Sequence, residues 1–240
     1  MLGGARTAFR STFRRVLSAL PQPKADHWML DTAIKLINHN TTTSRTRHPA
    51  GTPGSLLGDY LEFGCAAGGS FLHAYKRAAP LMPWMRFWAF DSFAGLPRPE
   101  GIDQDGEAQE GLFACNQQTF LRNLRVAKVD WSRVVCVPGW YSDTLTPGLK
   151  PHRGLKLASI VYIDCDLYHS CVLALAFITD LVETGSVIIF DEWLTFKGDP
   201  NRGEQRACAE WLTRHPEITL QDWHFFGAYG KSFIVVRASR

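Results

Sequence analysis

Two stretches of the chain, IVYIDCDLYHS and SVIIFDEW, run from β-branched apolar residues into acids. Asp164 and Asp166 follow the first run, and Asp191 and Glu192 follow the second. Apolar runs of this kind read as strands buried on both faces of a parallel sheet. Ligands of such sheets bind outside the carboxyl ends of the strands. Acids at two neighbouring strand ends would therefore converge on one crevice. Grouped carboxylates repel one another and resist ionisation unless a cation compensates them. Donors that are all oxygen favour a hard divalent ion such as Mg2+. Taken singly, each acid reads equally well as an ordinary strand-end or helix-capping residue.

A third segment, YLEFGCAAGGSF, ends a strand and opens a helix. Gly64, Gly68 and Gly69 let the backbone turn tightly and approach a ligand, and the helix that follows offers free N–H groups to it. The spacing is not the dinucleotide fingerprint of three glycines over six positions. Glu62, Gly64, Ala66 and Gly68 alternate instead, which is the pattern of S-adenosylmethionine binders with Ala66 at the usual middle glycine. A glycine turn without a ligand is the alternative for this loop alone. FWAFDSFAGLP then places Asp91 at the next strand end, at the distance where an acid can accept both ribose hydroxyls; a turn-capping acid is its plainer role. Loop and acid together point to an adenosine ligand and leave hydride transfer and methyl transfer both open.

These residues need a scaffold, and the hydrophobic pattern supplies one. Strands are expected near Gly58–Phe63, Arg86–Phe90, Val134–Pro138, Ile160–Ile163, Val187–Phe190, Thr219–Trp223 and Ser232–Arg237. Helices are expected near Trp28–Ile37, Ser70–Ala79, Thr119–Ala127, Ser170–Leu181 and Glu204–Arg214. Strands alternating with helices imply an α/β fold, a doubly wound, mostly parallel sheet of seven strands covered on both faces. The short link between the last two runs suits a hairpin, so the last strand is expected to be antiparallel. Asn38–Gly58 reads as a polar, turn-rich loop and a candidate lid. A second loop, Pro97–Glu110, carries Glu100, Asp103, Asp105, Glu107 and Glu110. It would either cover an acceptor or, more plainly, lie solvated on the surface.

The chain has 240 residues, 45% hydrophobic and 20% charged, with a formal net charge of +3. That suits one α/β domain and gives no case for nucleic acid, since no long basic run interleaved with aromatics occurs. No apolar stretch is long enough to span a bilayer. The six cysteines include no CxxC pair, which argues against a zinc knuckle and for a reduced, cytoplasmic setting. Residues 1–24 read as an amphipathic helix and linker preceding a domain over 25–240. Arg6, Arg10, Arg14 and Arg15 accompany Phe9, Phe13, Val16, Leu17 and Leu20 on helical spacing, and Pro21 and Pro23 end the segment. Docking on the domain or on a second subunit is the expectation, so a homodimer is the oligomer it suggests. A transit peptide or a membrane-surface helix has the same look.

Taken in order, YLEFGCAAGGSF, FDSFAGLP, VPGWYSDTL, YIDCDLYHS and IIFDEW resemble the macrocin O-methyltransferase family from about Leu57 to the C-terminus. The resemblance implies a Rossmann-like class I methyltransferase that uses S-adenosylmethionine and Mg2+. It also implies a small-molecule or glycan acceptor, methylated on a sugar or phenolic hydroxyl. It assigns Glu62, Gly64 and Ser70 to the methionine side of the cofactor, Phe63 and Cys65 to the cofactor site, Asp91 to the ribose and Ser92 to the adenine. Gly139, Trp140 and Tyr141 would form the adenine edge of the pocket, with Asp164 also beside the cofactor. Asp164, Asp191 and Glu192 match the three metal ligands. Many relatives have two aspartates where this chain has Asp191 and Glu192, and Glu192 is one methylene longer.

Methyl transfer to an alcohol still needs a base, and Asp166, Asp164 and His169 are the candidates, with a carboxylate preferred. His152, Arg153, Lys156, Lys197 and Arg202 read as scattered surface charges, or as contacts for an anionic group on the acceptor. Two other readings compete: a nicotinamide dehydrogenase, which lacks its glycine fingerprint here, and a non-catalytic binding module on the same fold.

Overall fold

The computed structural model describes residues 25–45, 57–104 and 108–238. The amphipathic segment and linker over 1–24 lie outside them, as do 46–56 of the expected lid and Asp105 and Glu107 of the acidic loop. The strands are β1 (Asp59–Phe63), β2 (Phe87–Asp91), β3 (Val134–Pro138), β4 (Ala158–Ile163), β5 (Val187–Phe190), β6 (Ile218–Phe226) and β7 (Gly230–Arg237). The helices are α1 (Ala25–Arg45), α2 (Gly69–Ala78), α3 (Gln117–Val126), α4 (Tyr141–Thr144), α5 (Leu149–Arg153), α6 (Tyr168–Ile178) and α7 (Gly203–Arg214).

All seven strands join one sheet in the order β3-β2-β1-β4-β5-β7-β6. β1 to β5 pair in parallel, and β7 runs antiparallel to both β5 and β6. The expected sheet is thus present, with its hairpin at the end. Side chains alternate across it, as a period of two requires. Leu61, Phe63, Val161, Ile163, Ile188 and Phe190 pack under α6 and α7. Tyr60, Phe87, Ile160, Tyr162, Val187 and Ile189 pack under α1, α2 and α3. Every residue of β1, β4 and β5 is buried, which is why 160–163 and 187–190 read as continuous hydrophobic stretches, while β1 also buries Asp59 and Glu62.

The amino ends of the strands are tied by one acid. Asp59 accepts hydrogen bonds from the Arg86 backbone and guanidinium at 2.7–3.0 Å and from the Trp88 indole at 2.9 Å. All six cysteines are free thiols, four of them buried. No helix among the described residues is long and apolar enough to cross a membrane.

One expectation fails at α1. The stretch after Asn38 continues as helix to Arg45 instead of becoming a loop. Its threonines make this tolerable by donating back along the helix: Thr41 to the Ile37 carbonyl at 2.9 Å and Thr42 to that of Asn38 at 2.7 Å. Thr41 is itself buried, so packing overrides a poor helix propensity.

Candidate functional site

Strand order reverses between β1 and β4, and a sheet of this kind opens its crevice at such a switch point. The register sets four strand ends level. Phe63 pairs with Phe90 and Ile163, and Ile163 pairs with Phe190. The next residues are therefore Gly64, Asp91, Asp164 and Asp191, side by side. The tips are stitched together by Gly64 N–H to Phe90 O, Asp164 N–H to Phe63 O and Asp191 N–H to Ile163 O, at 2.9–3.0 Å. A cleft of about 660 Å³ lies over them, with Gly64, Asp91, Trp140, Asp164, Asp166 and Glu192 in its wall.

Gly64 has to be glycine. Its φ is +91°, and a Cβ there would sit 1.7 Å from the Asp164 carbonyl oxygen. Beyond it, the loop is closed by Asp91. Its Oδ2 accepts from the Cys65 and Ala66 N–H groups, both at 2.7 Å, and its Oδ1 from Phe93 N–H at 2.6 Å. The acid assigned to a ribose thus also organises the glycine loop, and it still borders the cleft.

Glu62 points the other way. It is fully buried under the loop, where the Tyr60 hydroxyl and, at 2.7 Å, the Ser70 hydroxyl donate to its carboxylate. Burial pushes its pKa up to about 8 against the pull of those two hydroxyls. Glu62, Phe63, Cys65 and Ser70 are not among the residues that line the cleft. Trp140 and Tyr141 do line the cleft, while Gly139 is not among its lining residues. Ser92 also lines it, but its hydroxyl is spent on the turn, donating to Gly95 O at 2.8 Å. That turn explains DSFAGLP: Gly95, at φ +89°, lets the backbone abut Gly111, where a Cβ would lie 2.6 Å from the Gly111 carbonyl.

The carboxylates expected at the strand ends do meet. Asp164, Asp191 and Glu192 each offer an oxygen within 4.8 Å of the other two. Burial, with Asp191, Asp166 and Glu192 close by, holds the Asp164 carboxyl well above the usual range. Burial also pushes Asp191 up to about 6, despite the Tyr162 hydroxyl that donates to it at 2.6 Å. Among the described residues no Lys or Arg forms an ion pair with any of the three. Three crowded oxygen donors, with no compensating Lys or Arg among the described residues, fit a hard divalent cation.

Asp166 reaches the cleft from a sharp turn between β4 and α6, at φ +59°, a conformation more tolerable for Asp than for most residues. His169 lines the same cleft from the first turn of α6, its side chain 64% exposed.

Two residues were not singled out for the roles they have. Asp103 was expected in a loop that would either cover an acceptor or lie solvated on the surface. It is 2% exposed and caps α6, accepting from Tyr168 N–H at 2.9 Å and His169 N–H at 3.2 Å. Its Oδ2 also lies 3.8 Å from His169 Nδ1. This end of the acidic loop is therefore docked on the site, and Arg98, Glu100 and Phe113 line the cleft beside it. Glu204, 1% exposed, lies behind the carboxylate group and accepts from the Glu192 N–H at 3.0 Å. Arg202 donates to the Ile102 carbonyl at 3.1 Å. His152, Arg153, Lys156, Lys197 and Arg202 are absent from the cleft wall.

Comparison with known proteins agrees with this picture. The family model described as Macrocin-O-methyltransferase (TylF) matches residues 23–206. A Streptomyces olivaceus protein, 8-demethyl-8-(2,3-dimethoxy-alpha-L-rhamnosyl)-tetracenomycin-C 4'-O-methyltransferase, is 30% identical over 144 residues, 57% of this chain and 53% of its own. Demethyldecarbamoylnovobiocin O-methyltransferase of Streptomyces niveus is 26% identical over 148 residues, with the same two shares. The matched region thus spans about half the length of these relatives. The fold is similar to that of the O-methyltransferase NovP (TM-score 0.60, 20% identity, 86% of this chain and 79% of that one). It is also similar to that of the calicheamicin methyltransferase CalS11 (TM-score 0.62, 18% identity, 98% and 94%).

Proposed function

The chain belongs to the macrocin O-methyltransferase family, and from that premise we propose that it transfers the methyl group of S-adenosylmethionine to a hydroxyl of a sugar or phenolic acceptor, with a divalent cation such as Mg2+. The observation that carries this reading is the position of the Asp164, Asp191 and Glu192 carboxylates, gathered within 4.8 Å at strand ends that adjoin the glycine loop.

In this reading the loop from Gly64 to Gly68 and Asp91 bind the donor, with Trp140 and Tyr141 flanking its adenine. Asp164, Asp191 and Glu192 would hold the cation, whose contribution when bound is to fix and acidify an acceptor hydroxyl. Asp166 accepts the proton of that hydroxyl as the oxygen takes the methyl group, and the donor leaves as S-adenosylhomocysteine. His169 stands on the acceptor side, held by the Asp103 cap on α6. Arg98, Glu100 and Phe113 cover the acceptor and exclude water. Holding the two reactants in line contributes up to about 7–11 kcal/mol in such reactions. The name of the Streptomyces olivaceus relative refers to a rhamnosyl tetracenomycin, which supports a glycosylated acceptor here.

Titration calorimetry with S-adenosylmethionine, then with NAD, tests the donor. A screen of sugar and phenolic acceptors with labelled donor, run in Mg2+ and in excess EDTA, tests the rest. Donor binding, with methyl transfer that stops in EDTA and returns with Mg2+, is the expected result. A protein that ignores S-adenosylmethionine sinks the reading, and full turnover in EDTA removes the cation from it.

A further inference from the structure

The acid that follows Asp191 is a glutamate, and a longer side chain on a strand tip must be held if its carboxylate is to stay with the others. The first turn of α7 does the holding. Glu204, 1% exposed, accepts the Glu192 backbone N–H on Oε2 at 3.0 Å, and Gln205 Nε2 donates to the Trp193 carbonyl at 2.8 Å. Two consecutive side chains of one helix therefore grip the tip on both sides of the Glu192–Trp193 peptide. Thr195 completes the arrangement by donating its hydroxyl to Glu192 Oε2 at 2.5 Å. The start of the helix is packed close against the segment that follows the tip. Gly203 starts it at φ +54°, and a Cβ there would lie 2.8 Å from the Phe196 ring.

Glu204 is an expensive way to receive one N–H. Its other oxygen, Oε1, has no hydrogen-bond partner among the described residues, and a buried carboxyl with an unmet oxygen is disfavoured. An apolar residue would pack there without that penalty, so the bond to Glu192 is what the acid supplies.

We infer that Glu204, with Gln205 beside it, is a positioning residue for the cation site: it fixes the Glu192 backbone so that the longer side chain presents its carboxylate alongside Asp164 and Asp191. This rests on the divalent-cation reading above. Residues that orient metal ligands typically change metal affinity 10–100-fold when removed.

The test is Mn2+ binding by purified full-length protein, read from the free-ion paramagnetic resonance signal, with S-adenosylmethionine affinity measured in parallel. Glu204→Met fills the volume without an acceptor and is expected to weaken Mn2+ at least tenfold while donor affinity stays within twofold. Glu204→Gln keeps a carbonyl oxygen for the Glu192 N–H and is expected to stay within threefold of the parent. Parental Mn2+ affinity in Glu204→Met overturns the inference, and so does an equal loss in Glu204→Gln. Should Glu204→Met not fold, Gln205→Ala is expected to weaken Mn2+ at least threefold, and parental affinity in that variant overturns the inference instead. A parent protein that binds no Mn2+ overturns the cation reading and this inference together, and that result is read without any variant.

Discussion

Replacing Glu62 by Gln should change how stability depends on pH. The Glu62 carboxyl is wholly buried beneath the glycine loop, and its pKa rises from an ordinary 4.5 to about 8. A carboxyl with a raised folded-state pKa is tolerated protonated and resisted ionised. Its favourable contribution is thus fully present below about pH 4.5 and is lost as pH climbs toward about 8. At roughly 1.4 kcal/mol per pH unit over that window, the ceiling on the loss is about 5 kcal/mol. Local relaxation and water entry reduce it, so a loss of at least about 2 kcal/mol is expected. Gln cannot ionise and should not show it. Urea unfolding of both proteins from pH 5 to 8.5, in EDTA and without donor, gives the difference directly. Groups common to both proteins largely cancel. The variant should gain on the parent steadily as pH rises and level off above about 8. Parallel stability curves across the whole range would refute the placement of an ionisable Glu62 in an apolar setting.

Gly64→Ala should be among the most damaging single changes, because the added carbon would sit 1.7 Å from the Asp164 carbonyl in a backbone at φ +91°. Thermal unfolding should show a loss of at least about 3 kcal/mol or no folded protein, and a stable, donor-binding variant would contradict the close approach of the two strand ends. Asp166→Asn should lower kcat by about 10²- to 10⁴-fold, as loss of a base does, with S-adenosylmethionine affinity within twofold by calorimetry. Retained turnover would pass the role of base to His169 or Asp164.

What could be read in the sequence follows a physical rule: it was whatever the sheet alone determines. Residues 160–163 and 187–190 are apolar without interruption because both faces of their strands are covered, so the strands and the acids that end them were visible together. Parallel pairing then makes the meeting of Asp164 with Asp191 and Glu192 nearly unavoidable, and three oxygens within 4.8 Å are its outcome. Legibility fell where a residue's work depends on an element far along the chain. Asp103 caps a helix that begins 65 residues later, and nothing in the spacing of an acid-rich loop marks which acid will be buried. Glu204 looks like any acid in a first helical turn, where the macrodipole already accounts for it. Only the packing of α7 against the end of β5 turns it toward the Glu192 N–H. Thr41 to Thr43 mislead for a related reason, since a polar run reads as loop until one of its members is seen buried. Glu62 was legible as a motif position but not as a buried one. Which face of β1 it takes is fixed only once the sheet is assembled, and there Tyr60 and Ser70 donate to it.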